Sequence, residues 1–172
     1  MRDKSVEAKR MIEQLIQEMI KFDNGDPKRI QHFIKVHSFA KQIGVLEKID
    51  AETLFTLETA AVVHDIGIKY CEEKHGMCNG KLQEQEGPAL AEEMLNKLGY
   101  DKQVTNRVSY LVGHHHTYDH IQGIDYQILV EADFLVNLFE DDASKEAIKN
   151  AYEKIFKTDT GKNICKEMFG LE

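Results

Sequence analysis

Apolar residues recur at helical spacing along nearly the whole chain, and no segment holds the strict alternation of a half-buried strand. In the first segment Val6, Ile12, Leu15, Ile16, Met19 and Ile20 fall on one stripe. Asn24-Gly25-Asp26-Pro27 interrupts it, with Asp26 as N-cap and Pro27 at the first helical position, where a missing N–H costs nothing. A second helix is expected over about 27–47, and Asp50 caps a third that carries Leu54, Leu57, Ala60 and Ala61 towards His64. Further helices are expected near 88–98, 101–116, 123–140, 143–156 and 159–169. Between 66 and 87, glycines at 67, 76, 80 and 87 mark the least regular stretch, which reads as an active-site loop or lid. The pattern predicts an all-α fold, a compact single-domain bundle of seven or eight helices.

A chain of 172 residues suits one domain with a sizeable core. Its net charge of -8 argues against nucleic acid as the main partner, since phosphate-backbone binding leaves a basic footprint. A phosphorylated small molecule is still compatible if a metal or a local Lys supplies positive charge. The cysteines are Cys71, Cys78 and Cys165, an odd set without CxxC spacing, as expected of free thiols in a reducing cytosol. The N-terminal segment is a charged amphipathic helix without a signal-peptide core, and no apolar run is long enough to span a bilayer. A soluble cytoplasmic protein with no membrane partner is expected, and homo-oligomerisation is left open.

Several polar residues stand where apolar ones would be expected. In Thr59–Tyr70, "TAAVVHDIGIKY", a buried-looking helix end runs into His64 and Asp65. In the second helix Phe33, Val36, Phe39, Ala40 and Ile43 define an apolar arc; His32 falls inside it and His37 at its edge. Taken alone, His32 could equally be a core histidine bonded to a carbonyl. The segment "YQILVEADFLVNLF" is apolar nearly all round yet carries Glu131, Asp133 and Asn137. A buried carboxylate there must be paired or bound to metal. Asn137, four residues on, shares a face with Asp133 and can orient it; the alternatives are capping of a neighbouring helix or pairing with Arg107. In "LVGHHHTYDH", His114, His115 and His116 are either a solvated helix end or metal ligands, and at about 100° per residue only one or two can reach one centre. A mixed His/Asp set suits Fe, Mn, Co, Ni or Zn, with Mg also admissible, and is built for activating water.

The ordered residues His32, His64-Asp65 and Asp133 resemble the H…HD…D pattern of the HD-domain metal-dependent phosphohydrolases, all-α proteins, with the resemblance covering about 28–140 and the terminal helices packing on that core. Within that superfamily the stretch from Val112 to Asn137 looks like an uncharacterised bacterial subgroup of predicted hydrolases. The resemblance implies that His32, His64, Asp65 and Asp133 bind a first metal, with Asp65 able to bridge to a second. Two-metal members add an HH pair, which His114 and His115 fit, His115 under either register. They also add a histidine from an H-x-x-x-G stretch; here Gln83 stands at that position, with Glu84 or Glu86 as substitutes. The family's HDxGK is one residue longer here, "HDIGIK", ending in Lys69.

These residues predict hydrolysis of a phosphate ester or anhydride of a small phosphorylated metabolite, a nucleotide first among them, using one or two divalent ions. Asp65 would ligate and orient the nucleophile. Lys69 and a spare histidine, His116 or His120, would hold the phosphate or protonate the leaving oxygen. Two other classes compete: a di-iron HD-fold oxygenase, separated by co-purifying metal and O₂ consumption, and a non-catalytic HD module that binds a nucleotide or partner protein.

Overall fold

The computed structural model describes residues 4–172; the first three residues of the expected N-terminal helix lie outside it. The described residues form nine α-helices and no strand: α1 (Lys4–Phe22), α2 (Pro27–Leu46), α3 (Ala51–Val63), α4 (Gly67–His75), α5 (Gly80–Lys97), α6 (Lys102–Val112), α7 (Ile124–Glu140), α8 (Lys145–Lys154) and α9 (Asp159–Phe169). The all-α expectation holds. α2 packs on both α3 and α7, α3 also meets α1, α6 and α7, and α5 lies between α4 and α6. The helix that looked apolar all round is central: in α7 Ile128, Leu129, Ala132 and Leu135 are fully buried.

Caps set the boundaries as the sequence indicated. Asp26 accepts the Arg29 N–H at 3.0 Å with Pro27 at the first helical position, and Asp50 accepts those of Glu52 and Thr53 at 3.1 and 3.0 Å. Asp101, Ser144 and Thr158 cap α6, α8 and α9 in the same manner.

The stretch from 66 to 87 is a correction. Instead of an irregular loop, it forms α4 and the first half of α5, with only a short break around residues 76–79. Gly76 ends α4 at φ +71°, and the Asn79 side chain starts α5 by accepting the Leu82 N–H at 2.9 Å. Gly67 and Gly87 are there for contact. A Cβ on Gly67 would lie 3.1 Å from the Gly87 backbone, and one on Gly87 would lie 2.7 Å from Val112 Cγ1. Glycines that permit backbone contact between helices look, in sequence, the same as glycines that break helices. Their packing brings α4, α5 and the end of α6 together just beyond His64-Asp65.

Candidate metal centre

Each residue of the H…HD…D set comes from a different part of the bundle. His32 is on α2, His64 is the C-cap residue of α3, Asp65 begins the turn into α4, and Asp133 is in the middle of α7. Their donor atoms converge. His32 Nε2 lies 3.2 Å from His64 Nε2, 3.2 Å from Asp133 Oδ1 and 3.3 Å from Asp65 Oδ2. His64 Nε2 lies 3.4 Å from Asp65 Oδ2 and 3.5 Å from Asp133 Oδ1. His115, in the turn after α6, places its Nε2 3.4 Å from the other Asp65 oxygen, Oδ1.

The tautomers follow from the far side of each ring. His64 Nδ1–H donates to Ala61 O at 2.8 Å, and His115 Nδ1–H donates to Val112 O at 2.9 Å. Both use carbonyls left without a helical partner at the end of a helix. A carbonyl only accepts, so the proton sits on Nδ1 and the Nε2 lone pair faces inward. His32 Nδ1–H donates to Glu140 Oε2 at 2.8 Å, and Glu140 is held in turn by Lys35 Nζ at 2.5 Å. Asn137 Nδ2 donates to Asp133 Oδ1 at 2.8 Å, as the spacing suggested.

The cluster is therefore a set of lone pairs facing one another. Among the described residues His115 Nε2 is buried without a hydrogen-bond partner, and the His32 and His64 Nε2 atoms face each other and the Asp65 and Asp133 carboxylates. A cation between its members, a proton or a metal ion, satisfies such a set. The electrostatics agree: burial opposes charge on His64, yet Asp65 and Asp133 outweigh it and raise its pKa well above 6.5. Asp133 is held below the ordinary carboxylate range, its burial outweighed by its bonds to His32 and His64. Two overlapping groups have metal-ligand spacing, His32/His64/Asp65 and Asp65/His115/His116, each with donor atoms within 4.8 Å of one another. The residues present thus fit a divalent ion, with Asp65 common to both groups.

Of the triple histidine, His115 and His116 face Asp65, whereas His114 turns away. Its Nδ1–H donates to Tyr110 O at 2.7 Å and its ring stacks on Tyr110. His116 Nε2 meets Gln83 Oε1 at 3.0 Å, so the glutamine at the H-x-x-x-G position holds a histidine. Burial beside His115 pushes the His116 pKa down to about 4, which keeps the ring neutral. Neither proposed glutamate substitute reaches the ligand groups: Glu84 accepts from His116 N and Thr117 Oγ1, and Glu86 pairs with Lys74 and His75. His37 points elsewhere, to Glu58 at 3.0 Å, and His120 is exposed.

Lys69 is also displaced from the cluster. Its Nζ donates to Phe22 O at 3.0 Å and sits over the Phe22 ring, beside a separate cavity of about 290 Å³. The cavity that opens on His32 and Asp65, about 280 Å³, is lined by Lys28, Arg29, Asn137 and Glu140. Arg107 pairs with Asp125 at 2.7 Å, leaving Asp133 to the histidines. The capping role considered for an α7 carboxylate belongs to Glu131, which accepts from Lys157 N at 2.6 Å, Thr158 N at 2.9 Å and Thr158 Oγ1 at 2.5 Å. Sequence reasoning missed Glu140, although its spacing of seven from Asp133 places it on the same helical face. Lys28 and Asp23 carried no sequence signal.

No protein-family model matches the chain, and no curated protein is significantly similar to it. Solved structures are. A crystal structure of a predicted HD superfamily hydrolase from an uncultured Thermotogales bacterium is 27% identical, covering 94% of this chain and 84% of the other, with a TM-score of 0.64. Two crystal structures of Bacillus subtilis YpgQ, one in its selenomethionine form, are 16% and 17% identical over 95% of this chain and 88% and 90% of theirs, with TM-scores of 0.68 and 0.63. The fold shared along nearly the whole chain with a predicted HD superfamily hydrolase, and the H…HD…D side chains gathered at one point, support the HD-domain superfamily resemblance.

Proposed function

We propose that this protein is a metal-dependent phosphohydrolase that cleaves an ester or anhydride of a small phosphorylated metabolite, a nucleotide in the first place. The observation that carries the reading is the inward-facing donor set of His32, His64, Asp65 and Asp133, with the His32 and His64 Nδ1–H groups bonded outward, at the end of a cavity. The likeness to a protein described as an HD hydrolase supports it.

In this reading His32, His64, Asp65 and Asp133 hold the first divalent ion, and Asp65, His115 and His116 offer a place for a second. When bound, such an ion lowers the pKa of water from about 15.7 to about 7 and offsets negative charge on phosphoryl oxygens. The chain's own residues supply the rest. Asp65, partly open to the cavity, orients the attacking water through its carboxylate. Lys28 faces the same cavity and binds the phosphoryl oxygens that point away from the centre, beside Arg29, which Glu72 and Asp26 hold. His116, neutral and held by Gln83, is within reach of Asp65 and, where it does not ligate, serves as a hydrogen-bonding group for the substrate. Lys69 enters only from the adjoining cavity, as a contact for the more distant part of the substrate.

The test is metal analysis of the purified protein followed by phosphate release from a panel of phosphorylated metabolites with Mn, Co, Ni, Fe and Mg. Metal-dependent release that disappears in Asp65→Ala supports the reading. Consumption of O₂ without phosphate release overturns it.

A further inference from the structure

Two cavities meet at Asp23. The first, about 280 Å³, runs from His32 and Asp65 past Met19, Phe33, Val62 and Ile68. The second, about 290 Å³, is lined by Arg29, Lys69 and Glu72. Asp23 lines both and is only 6% exposed. Among the described residues its carboxylate accepts no hydrogen bond and forms no ion pair. Arg29 and Lys69 attract it from a distance, while Asp26 and Asp65 repel it. Both cations are committed elsewhere: Arg29 to Glu72 at 2.6 Å and to Asp26 at 3.4 Å, Lys69 to the Phe22 carbonyl at 3.0 Å.

A mostly buried carboxylate with no protein partner is costly, and at the wall of two cavities it is open to a ligand that completes it. An ionised carboxylate only accepts hydrogen bonds, so what completes it must donate. A second phosphate directed to this end would meet Asp23 and Asp26 beside cations already bonded to Glu72, Asp26 and the Phe22 carbonyl. The apolar wall beside Asp23 suits a flat heterocycle better than a fully hydroxylated body. We propose that Asp23 is a specificity-determining residue, which binds an N–H or O–H donor on the nucleoside part of the substrate while the phosphate lies at His32 and Asp65. The assignment rests on the phosphohydrolase reading for the position of the phosphate.

The experiment compares kcat/KM within two substrate pairs, for the metal-loaded wild type and Asp23→Asn. Guanosine and inosine 5′-monophosphates differ by one amino group; ribo and 2′-deoxyribo forms of one nucleotide differ by one hydroxyl. Wild type should discriminate at least tenfold within one pair, and Asp23→Asn should reduce that ratio about tenfold; the pair that responds identifies the donor. Equal ratios in both proteins for both pairs overturn the proposal, as does a wild type that discriminates in neither. A second arm needs no turnover: the thermal shift produced by guanosine and 2′-deoxyguanosine. If no ester releases phosphate, the phosphohydrolase reading fails and this arm decides alone. A shift in wild type that Asp23→Asn loses sustains Asp23 as the donor-binding group, and no shift in wild type overturns it.

Discussion

Glu140 accepts the Nδ1–H of His32 at 2.8 Å, and in doing so turns the His32 Nε2 lone pair towards His64, Asp65 and Asp133. The carboxylate is in turn held by Lys35, so α7 supplies both a donor to the cluster and the group that aims another. Removing such an outer partner lowers metal affinity by about 10- to 100-fold. Glu140→Ala should show a loss of that size by metal titration, and Glu140→Gln, which keeps an acceptor, a smaller one. An unchanged affinity in Glu140→Ala would mean that packing alone orients His32.

The two histidines of α2 and the triple histidine give an internal comparison. His32→Ala and His64→Ala should abolish metal retention, and His115→Ala should reduce metal stoichiometry or affinity. His37→Ala and His114→Ala should leave metal content unchanged, because these rings bond to Glu58 and to the Tyr110 carbonyl. Metal analysis of the five purified variants decides the matter, and retention by His32→Ala would refute the proposed ligand set.

Glu131 has a structural part that is separable from the site. It satisfies Lys157 N, Thr158 N and Thr158 Oγ1 where α9 begins. Each buried donor left without a partner costs about 1–3 kcal/mol. Glu131→Ala should therefore lower the midpoint of denaturant unfolding by an amount equivalent to about 2–6 kcal/mol, counting the two backbone donors by the same rule. Metal affinity of the folded protein should stay as it was.

Burial raises the Asp23 pKa, with Arg29 working against it and Asp26 reinforcing it. A carboxyl whose folded-state pKa lies above its unfolded value favours folding at acid pH, and that contribution disappears as pH rises through the folded pKa. Ionised Asp23 thus costs stability at pH 7. Asp23→Asn should melt higher than wild type at pH 7, with the gap narrowing as pH falls towards the ordinary aspartate range. A lower melting temperature at pH 7 would show that the carboxylate is stabilised in the free protein.

The sequence by itself determined the helical class, the caps at Asp26 and Asp50 and the burial of α7, because these depend on local spacing and on residues within one turn. It also singled out His32 over His37, since an apolar arc on a helix already defines which way is inward. It did not determine that 66–87 would be helical, because Gly67 is explained by the Gly87 backbone, 20 residues on, and Gly87 by Val112 Cγ1. It could not choose His115 and His116 over His114. All three follow an apolar helix, and the choice depends on a turn fastened by Glu84, with the Tyr126 hydroxyl set against the carbonyls of His114 and Thr117. Nor could it place Lys69 against Phe22 or set Asp23 between two cavities. Those positions depend on how separate helices meet, and a helix's own periodicity fixes the direction of a side chain but not what stands opposite it.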